Sequence, residues 1–448
     1  MRRRASFFLL IAITAGLLAA CGGSTPAAAP TAAPAAEAPT AAPAAEAPTA
    51  APAAEAPTAA PAAEAPTAAP AAGGSGDKIV IVSSLPRTGS SKGQTDTVVN
   101  AIKQRLDEAN MQACNGQFSI EYRDWDDATA AKGQWDEATE ASNANKAAAD
   151  ADVMVYIGTF NSGAAKISIP ILNAVDLVMI SPANTYPGLT KPGKGEPGEP
   201  DKYYPTGKRN YARVVPADDL QGAAAANWAK EMGVKSVFVL DDTQLYGKGI
   251  ADVFDAKAKE IGLEVLGREG IDGKAADYRA LAAKVVDLNP DLVYFGGITQ
   301  QNAGQLWKDI RGEGYKGKMM GPDGISESAF IEAAGDAADG TYTTFGGVPP
   351  DKLEGKAGEW YKAYKAKYNS EPEPYAIYGY ESANVALAAI DKVCAKDRAK
   401  IRDAVFATKD FQGILGTWSF DANGDTTLTT MSGSQVKGGK FEFVQAIK

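Results

Sequence analysis

From residue 78 onwards the chain alternates between short runs of β-branched and aromatic residues and longer segments with apolar positions at helical spacing. The clearest unit is DVMVYIGTFNSGAAKISIPILNAVDLVMISPANTYP, residues 152–187. Its apolar runs at 153–157 and 177–180 flank an Ala-rich segment of helical length, which predicts a β–α–β crossover in a parallel sheet. The same rhythm predicts a strand at 78–82 with a helix at 95–110, and a strand at 118–123 with a long helix at 130–149. After residue 235 it predicts strand and helix pairs at 236–240 and 246–261, 264–268 and 278–288, and 292–295 and 300–311. A short strand at 318–320, helices near 353–368, 376–393 and 399–408, and a C-terminal β-hairpin turning at 421–425 complete an α/β chain. Residues 191–208 interrupt the rhythm with four prolines, four glycines and alternating charge, the composition of a surface excursion.

Residues 1–76 follow a different pattern. Arg2, Arg3 and Arg4 precede an apolar run at 7–20 that is too short to span a bilayer and has the size of a signal peptide. The run ends Leu18-Ala19-Ala20-Cys21-Gly22, which resembles the lipobox of bacterial lipoproteins, whose cysteine is acylated and becomes the new N-terminus. That resemblance implies a signal peptide at 1–20 and a mature chain anchored through Cys21 to a membrane from outside the cytoplasm. Beyond it the repeat TAAPAAEAP begins at Thr31, Thr40, Thr49 and Thr58, and residues 24–76 hold no aromatic or branched aliphatic side chain. Such a segment cannot bury enough apolar surface to offset chain entropy. Residues 21–76 are therefore expected to form a disordered tether, reaching ~40 Å as a coil and ~160 Å fully extended.

Composition narrows the function. At 448 residues and 45% apolar content, the chain can bury about two domain cores once the repeat is set aside. There is no histidine, which removes Ser-His-Asp and Cys-His catalysis, the H-E-x-x-H zinc motif and every imidazole ligand. No P-loop G-x-x-x-x-G-K-[ST] occurs either. Without the three N-terminal arginines, 42 basic residues face 55 acidic ones, a net charge of −13 that disfavours nucleic acid. Few enzyme mechanisms remain, an extracytoplasmic amidohydrolase among them, and no cofactor or metal is expected.

In the 152–187 unit both strands end in small polar residues, Gly158-Thr159-Phe160-Asn161-Ser162-Gly163 and Ser181-Pro182-Ala183-Asn184-Thr185. Hydroxyls and free amides thus gather at the carboxyl edge of a parallel sheet, where open α/β folds bind ligands. Ser162 falls at the start of the 164–174 helix, whose unpaired N–H groups and positive dipole end attract a carboxylate. Serine is also a favoured N-cap, and it is the second hydroxyl loop that points to a site.

Further motifs follow in order: Tyr211-Ala212-Arg213 with Asp219-Leu220-Gln221-Gly222, Asp241-Asp242 before Tyr246-Gly247, and Val293-Tyr294-Phe295-Gly296-Gly297. Gly321-Pro322-Asp323-Gly324 and Gly416-Thr417-Trp418-Ser419-Phe420-Asp421 with Gly424-Asp425 complete the series. Together with the two hydroxyl loops, and over residues 78–448, they resemble the periplasmic-type solute-binding proteins of branched-chain amino acid ABC transporters, the leucine/isoleucine/valine-binding family. The resemblance implies a two-lobed venus flytrap of the type I periplasmic binding protein class. Each lobe would be a parallel-sheet, three-layer α/β sandwich, with three crossover segments near 215–218, 346–349 and 430–433. Lobe 1 would comprise 77–216 and 348–430, and lobe 2 would comprise 217–347 and 431–448.

The implied function is that of a monomeric lipoprotein that captures an amino acid or analogue between closing lobes and delivers it to an ABC transporter permease. The alternatives are a sensory ligand-binding module, or a family member specific for urea, amides or aromatic acids. Carried over by position, Ser162 and Thr185 would hold the ligand carboxylate, and the Ala183 carbonyl and Asp323 carboxylate would receive the ammonium. Asn184 lies between the two, and Tyr246 would close over the ligand. On the residues alone Tyr246 also suits a core or helix-start position, and Asp323 a turn. Asn184 stands where a small residue is usual, and Ile298 where an aromatic often follows Gly-Gly. The loop Pro86-Arg87-Thr88-Gly89-Ser90-Ser91-Lys92 has two cations and no aromatic, which implies a side-chain pocket more polar than a leucine site. Cys114 and Cys394 remain once Cys21 is lipidated, and an oxidising compartment favours their disulfide over two free thiols.

Overall fold

The computed structural model describes residues 77–448; Cys21 and the repeat lie outside the described residues. Two sheets organise the chain. The first has six strands in the spatial order Gln112–Ala113, Phe118–Asp126, Asp77–Leu85, Val153–Gly158, Val178–Ser181, Tyr211–Arg213. It is parallel except at the two-residue Gln112–Ala113 edge. The second has seven, in the order Glu264–Gly270, Ser236–Asp241, Leu292–Gly296, Lys318–Gly321, Tyr342–Gly346, Met431–Lys437, Lys440–Ile447. Five of these are parallel and the last two pair antiparallel as a hairpin.

The central strands are continuous apolar runs because each sheet is covered on both faces. Ile79 and Ile81 enter one core with the Lys92–Glu108 and Ala376–Val393 helices, while Val80 and Val82 enter another with the Glu137–Ala149 and Ser162–Asn173 helices. In the second sheet Phe238 and Leu240 pack on the Ala303–Gly312 helix, whereas Val237 and Val239 pack on the Asp218–Glu231 and Leu245–Glu260 helices. Trp360, Tyr364, Leu387 and Ile401 belong to the first sheet's core although they follow the second sheet's parallel strands in sequence. The chain therefore passes between the sheets three times: after Arg213, after Gly346 and before Met431.

Several expected elements differ. The 130–149 helix begins only at Glu137, where the Asp136 side chain accepts the Thr139 amide as N-cap. Before it, Ala128–Thr129 and Gln134–Trp135 form a small hairpin, turned by Gly133 at φ +64° and fixed by the buried Trp135. The C-terminal hairpin turns at Gly438-Gly439, both at positive φ, whereas residues 421–425 close only a single Phe420–Thr426 bridge. The 191–208 excursion is anchored: Tyr203 and Tyr204 are buried, and Glu199 accepts hydrogen bonds from Tyr186 (2.8 Å) and Tyr203 (2.5 Å). Cys114 and Cys394 are joined, Cα to Cα 5.5 Å, tying the first sheet's edge to the C-terminal end of the Ala376–Val393 helix.

Candidate functional site

The Val153–Gly158 strand delivers its polar tip directly into the Ser162–Asn173 helix, with Asn161 extended at the cap and Ser162 as the first helical residue. The first helical turn leaves its N–H groups without intrahelical partners. The Ser162 hydroxyl, 2% exposed, accepts only a long bond from the Tyr186 amide (3.4 Å). Next to it, Gly163 is obligatory: a Cβ there would lie 2.6 Å from the Trp135 ring. Trp135 thus seats the helix start that carries Ser162.

The second hydroxyl loop is held by a buried cation. Arg213, 0% exposed, pairs with Asp425 at 2.5 Å and donates to the carbonyls of Asn184 (3.2 Å) and Tyr186 (2.9 Å) and to the Thr190 hydroxyl. Asn184 is also fully buried, and its side chain is used internally. It donates to the Phe160 carbonyl (2.9 Å) and the Thr159 hydroxyl (3.3 Å), and accepts from Tyr211 (3.2 Å). It therefore splints the two loops together, while Ala183 and Thr185 on either side stay buried. The Thr185 hydroxyl has no hydrogen-bond partner among the described residues.

The chain then crosses to the second sheet and supplies acids. Asp323, 4% exposed, follows the Lys318–Gly321 strand. One of its oxygens accepts from the Gln221 amide (2.6 Å) and the Tyr246 hydroxyl (2.7 Å), the other from the Tyr375 hydroxyl. Tyr246 also accepts from the Gly324 amide (3.1 Å) and packs with Ile250 and Ile298. Tyr375 stacks edge-on with Phe160 of the first hydroxyl loop, ring centres 5.5 Å apart, so Asp323 and that loop meet through one ring. Asp218 is 0% exposed and both its oxygens lack partners among the described residues, as does the Gln221 side-chain carbonyl. Burial raises the Asp218 carboxyl well above its ordinary range, and the charge of Asp323 raises it further, while Thr185 beside it pulls the other way. Burial likewise raises Asp323, against the opposing pull of its tyrosine and glutamine donors.

Buried polar atoms are almost always paired in folded proteins, so three orphans on Asp218 and Gln221, with a fourth on Thr185, mark a place built to receive a ligand's donors and acceptors. Two buried acids facing each other suit a cation in particular. Of the residues singled out in the sequence, Thr185, Tyr246 and Asp323 touch this cluster; Ser162, Ala183 and Asn184 lie in the two hydroxyl loops, which Asn184 joins. Sequence reasoning missed Tyr375, Asp218 and Gln221; only Gln221 lay in a noted motif. A largely apolar groove of about 560 Å³, walled by Pro216, Gly347, Leu353, Tyr378, Leu428 and Thr430, lies beside the three chain crossings and contains none of these residues.

Residues 78–440 match the family described as "Periplasmic binding protein". The chain belongs to that family. A Leu/Ile/Val-binding protein homolog of Brucella abortus is 30% identical over 309 residues, 68% of this chain and 78% of its own length. The crystal structure of a leucine-binding protein from Thermotoga maritima superposes with a TM-score of 0.72 at 27% identity, covering 83% of this chain and 99% of that one. A branched-chain amino acid transporter substrate-binding protein from Streptococcus pneumoniae, solved in complex with isoleucine, gives 0.70 at 25% identity over 83% and 99%. This periplasmic binding protein accordingly has the two-lobed type I fold, with one lobe on each sheet. It is a solute-binding protein of the branched-chain amino acid transporter type, and its relatives are binders rather than enzymes.

Proposed function

We propose that the protein captures the zwitterion of an amino acid, or a close analogue, between its lobes outside the cytoplasm and passes it to an ABC permease while held to a membrane through lipidated Cys21. The observation that supports this most directly is the convergence of the unpartnered Thr185 hydroxyl with the buried acids Asp218 and Asp323. In this reading the Ser162 and Thr185 hydroxyls and the first amides of the Ser162–Asn173 helix take the carboxylate. The Ala183 carbonyl and Asp323 take the ammonium, with Asp218 behind them as a second negative charge. Asn184 fixes the spacing of the two hydroxyl loops. Tyr246 and Tyr375 cover the ligand and exclude water, which strengthens each charged contact. Hydrogen bonds to charged groups are worth about 1.5–3 kcal/mol each, enough to orient both ends of a zwitterion.

A melting-temperature screen over amino acids, their amides, urea and aromatic acids tests the reading, because ligand at a hundred times Kd adds about 2.7 kcal/mol of stability. Amino acids are expected to raise the melting temperature, and Ser162→Ala and Asp323→Ala to abolish the rise. Retention of the full rise in both variants refutes the placement of the clamp. For the anchor, Cys21→Ser is expected to release the protein from the membrane fraction.

A further inference from the structure

A second feature of the cleft is unexplained by the zwitterion clamp. Four residues beyond Asp323, Glu327 sits 2% exposed and accepts from Gln94 (3.2 Å) and Gln300 (3.0 Å). Gln94 comes from the first lobe, on the Lys92–Glu108 helix, and is itself 3% exposed. Its side-chain carbonyl is buried without a partner among the described residues. Both side chains line a cavity of about 600 Å³ whose walls also include Gly93, Ser328, Glu332 and Glu373. Glu373 accepts from the Ser328 hydroxyl. Three carboxylates therefore face one cavity, and no lysine or arginine is among its lining residues.

We infer that this cavity is the subsite for the far end of the ligand, and that it takes a protonated amine or guanidinium, so that the preferred solute is an amino acid with a basic side chain. The inference rests on the zwitterion reading above. Asp323 opens the short 3-10 turn Asp323–Ile325, and Glu327 is the extended residue that caps the Ser328–Ala334 helix just after it. Glu327 comes only four residues after the clamp acid, so the cavity follows directly on the clamp along the backbone. The orphaned Gln94 carbonyl supplies an uncharged acceptor in the same cavity as Glu327, the pair of acceptors that a multiply protonated nitrogen requires. Gln94 and Glu327 belong to different lobes and are hydrogen-bonded to each other, so a cation that engages both beside that contact favours the closed form. A bare metal ion is the poorer match, since no cluster of three or more metal-ligating side chains occurs among the described residues. Gly89 and Ser90 of the Pro86 to Lys92 loop also line the cavity, and the absence of an aromatic in that loop fits a polar solute.

Glu327 also gives the subsite a pH signature. Burial, followed by the charge of Glu373, pushes its carboxyl up to about 7 against the hydrogen bonds from Thr299, Gln94 and Gln300. The charged groups that face it are Glu373, itself raised by burial, and Glu332 on the Ser328–Ala334 helix. A cation should therefore bind better as the pH rises through 7.

Calorimetric titration of the full chain with arginine, its neutral isostere citrulline, and leucine tests the subsite. Arginine is expected to bind about tenfold tighter than citrulline or leucine at pH 8. In Glu327→Gln that preference should fall to within threefold. In the unmodified protein the arginine-to-citrulline ratio should rise between pH 6 and pH 8, a measurement that does not depend on any variant folding. Leucine or citrulline binding as tightly as arginine, with a flat pH ratio, overturns the subsite and leaves the clamp intact. Failure of every amino acid to bind overturns the clamp, and the subsite with it.

Discussion

Replacing Asp323 with asparagine separates the charge of this residue from its shape. In the folded protein Asp323 is 4% exposed and accepts three hydrogen bonds, from Gln221 at 2.6 Å, Tyr246 at 2.7 Å and Tyr375. An asparagine keeps the volume and one acceptor, and the tyrosine hydroxyls can rotate to accept from its amide. It also removes the buried carboxylate whose charge makes the neighbouring Asp218 harder to ionise. The ligand-free variant should therefore melt within a few degrees of the parent, or above it. A ligand ammonium, by contrast, loses its ionic partner in a site without water. A charged hydrogen bond contributes about 1.5–3 kcal/mol, and breaking a buried pair by removing one member costs about 3–5 kcal/mol. A loss near 3 kcal/mol is about a hundredfold in Kd. The assay is calorimetric titration of both proteins with one amino acid and with the corresponding acid that lacks the α-amino group. The parent should prefer the amino acid about a hundredfold, and Asp323→Asn should bind the two with similar affinity. An Asp323→Asn variant that keeps the parent's preference within threefold would refute the assignment of this carboxylate to the ammonium.

Other perturbations follow from the same contacts. Gly163→Ala drives a methyl into the Trp135 ring, 2.6 Å away, and should lower both stability and ligand affinity by moving Ser162; an unchanged Kd would show that Trp135 does not set the helix start. Arg213→Met strips Asp425 of its only charged partner among the described residues and frees the 184–190 loop, so chemical denaturation should reveal a loss of about 3–5 kcal/mol. Removing the Cys114–Cys394 bond, which spans 280 residues of sequence, should cost about 2–5 kcal/mol, read by denaturation with and without reductant. Glu140 is pushed up to about 7, chiefly by burial, while Ser168, Ser84 and Tyr156 donate to it and oppose that rise. A carboxyl whose folded value exceeds its unfolded one contributes stability that is full below about 4.5 and is lost as the pH rises through about 7. The ligand-free protein should thus lose about 3 kcal/mol of Glu140's contribution between pH 4.5 and pH 8, and Glu140→Gln should flatten that slope.

The sheets were legible because covering a parallel sheet on both faces requires unbroken apolar strands, and runs such as Val153 to Ile157 and Leu292 to Phe295 have no other comfortable home. Local composition misled where a single side chain overruled it. The Ala-rich stretch from 130 suited a helix, but burial of Trp135 and the Asp136 cap moved its start to Glu137. The Pro- and Gly-rich excursion looked solvated, yet Tyr203, Tyr204 and Glu199 fasten it to the first lobe. In both cases the deciding contact joins residues across loops, which periodicity cannot register.

The candidate site divides along the same line. Its first-lobe half was visible because the two hydroxyl loops are consecutive strand ends of one β–α–β unit, so their proximity follows from topology alone. Of its acidic half only Asp323 was named, and through the resemblance rather than from the residues, because Asp218, Asp323 and Tyr375 come from three stretches that meet only after the chain has crossed between lobes. Asp218 illustrates the difficulty: beside Asp219 in sequence it looks like a second helix-start acid, a position where negative charge is favourable and needs no further reason. Burial changes its meaning. Asp219 is solvated enough to pair with Lys191 at 2.7 Å, whereas Asp218 lies within the fold with both oxygens unpaired and Asp323 for a neighbour. A protein gains nothing in stability from two adjacent buried acids, since each makes the other harder to ionise. A ligand cation would relieve that cost by completing the cluster, which is why the proposed clamp places the ammonium here.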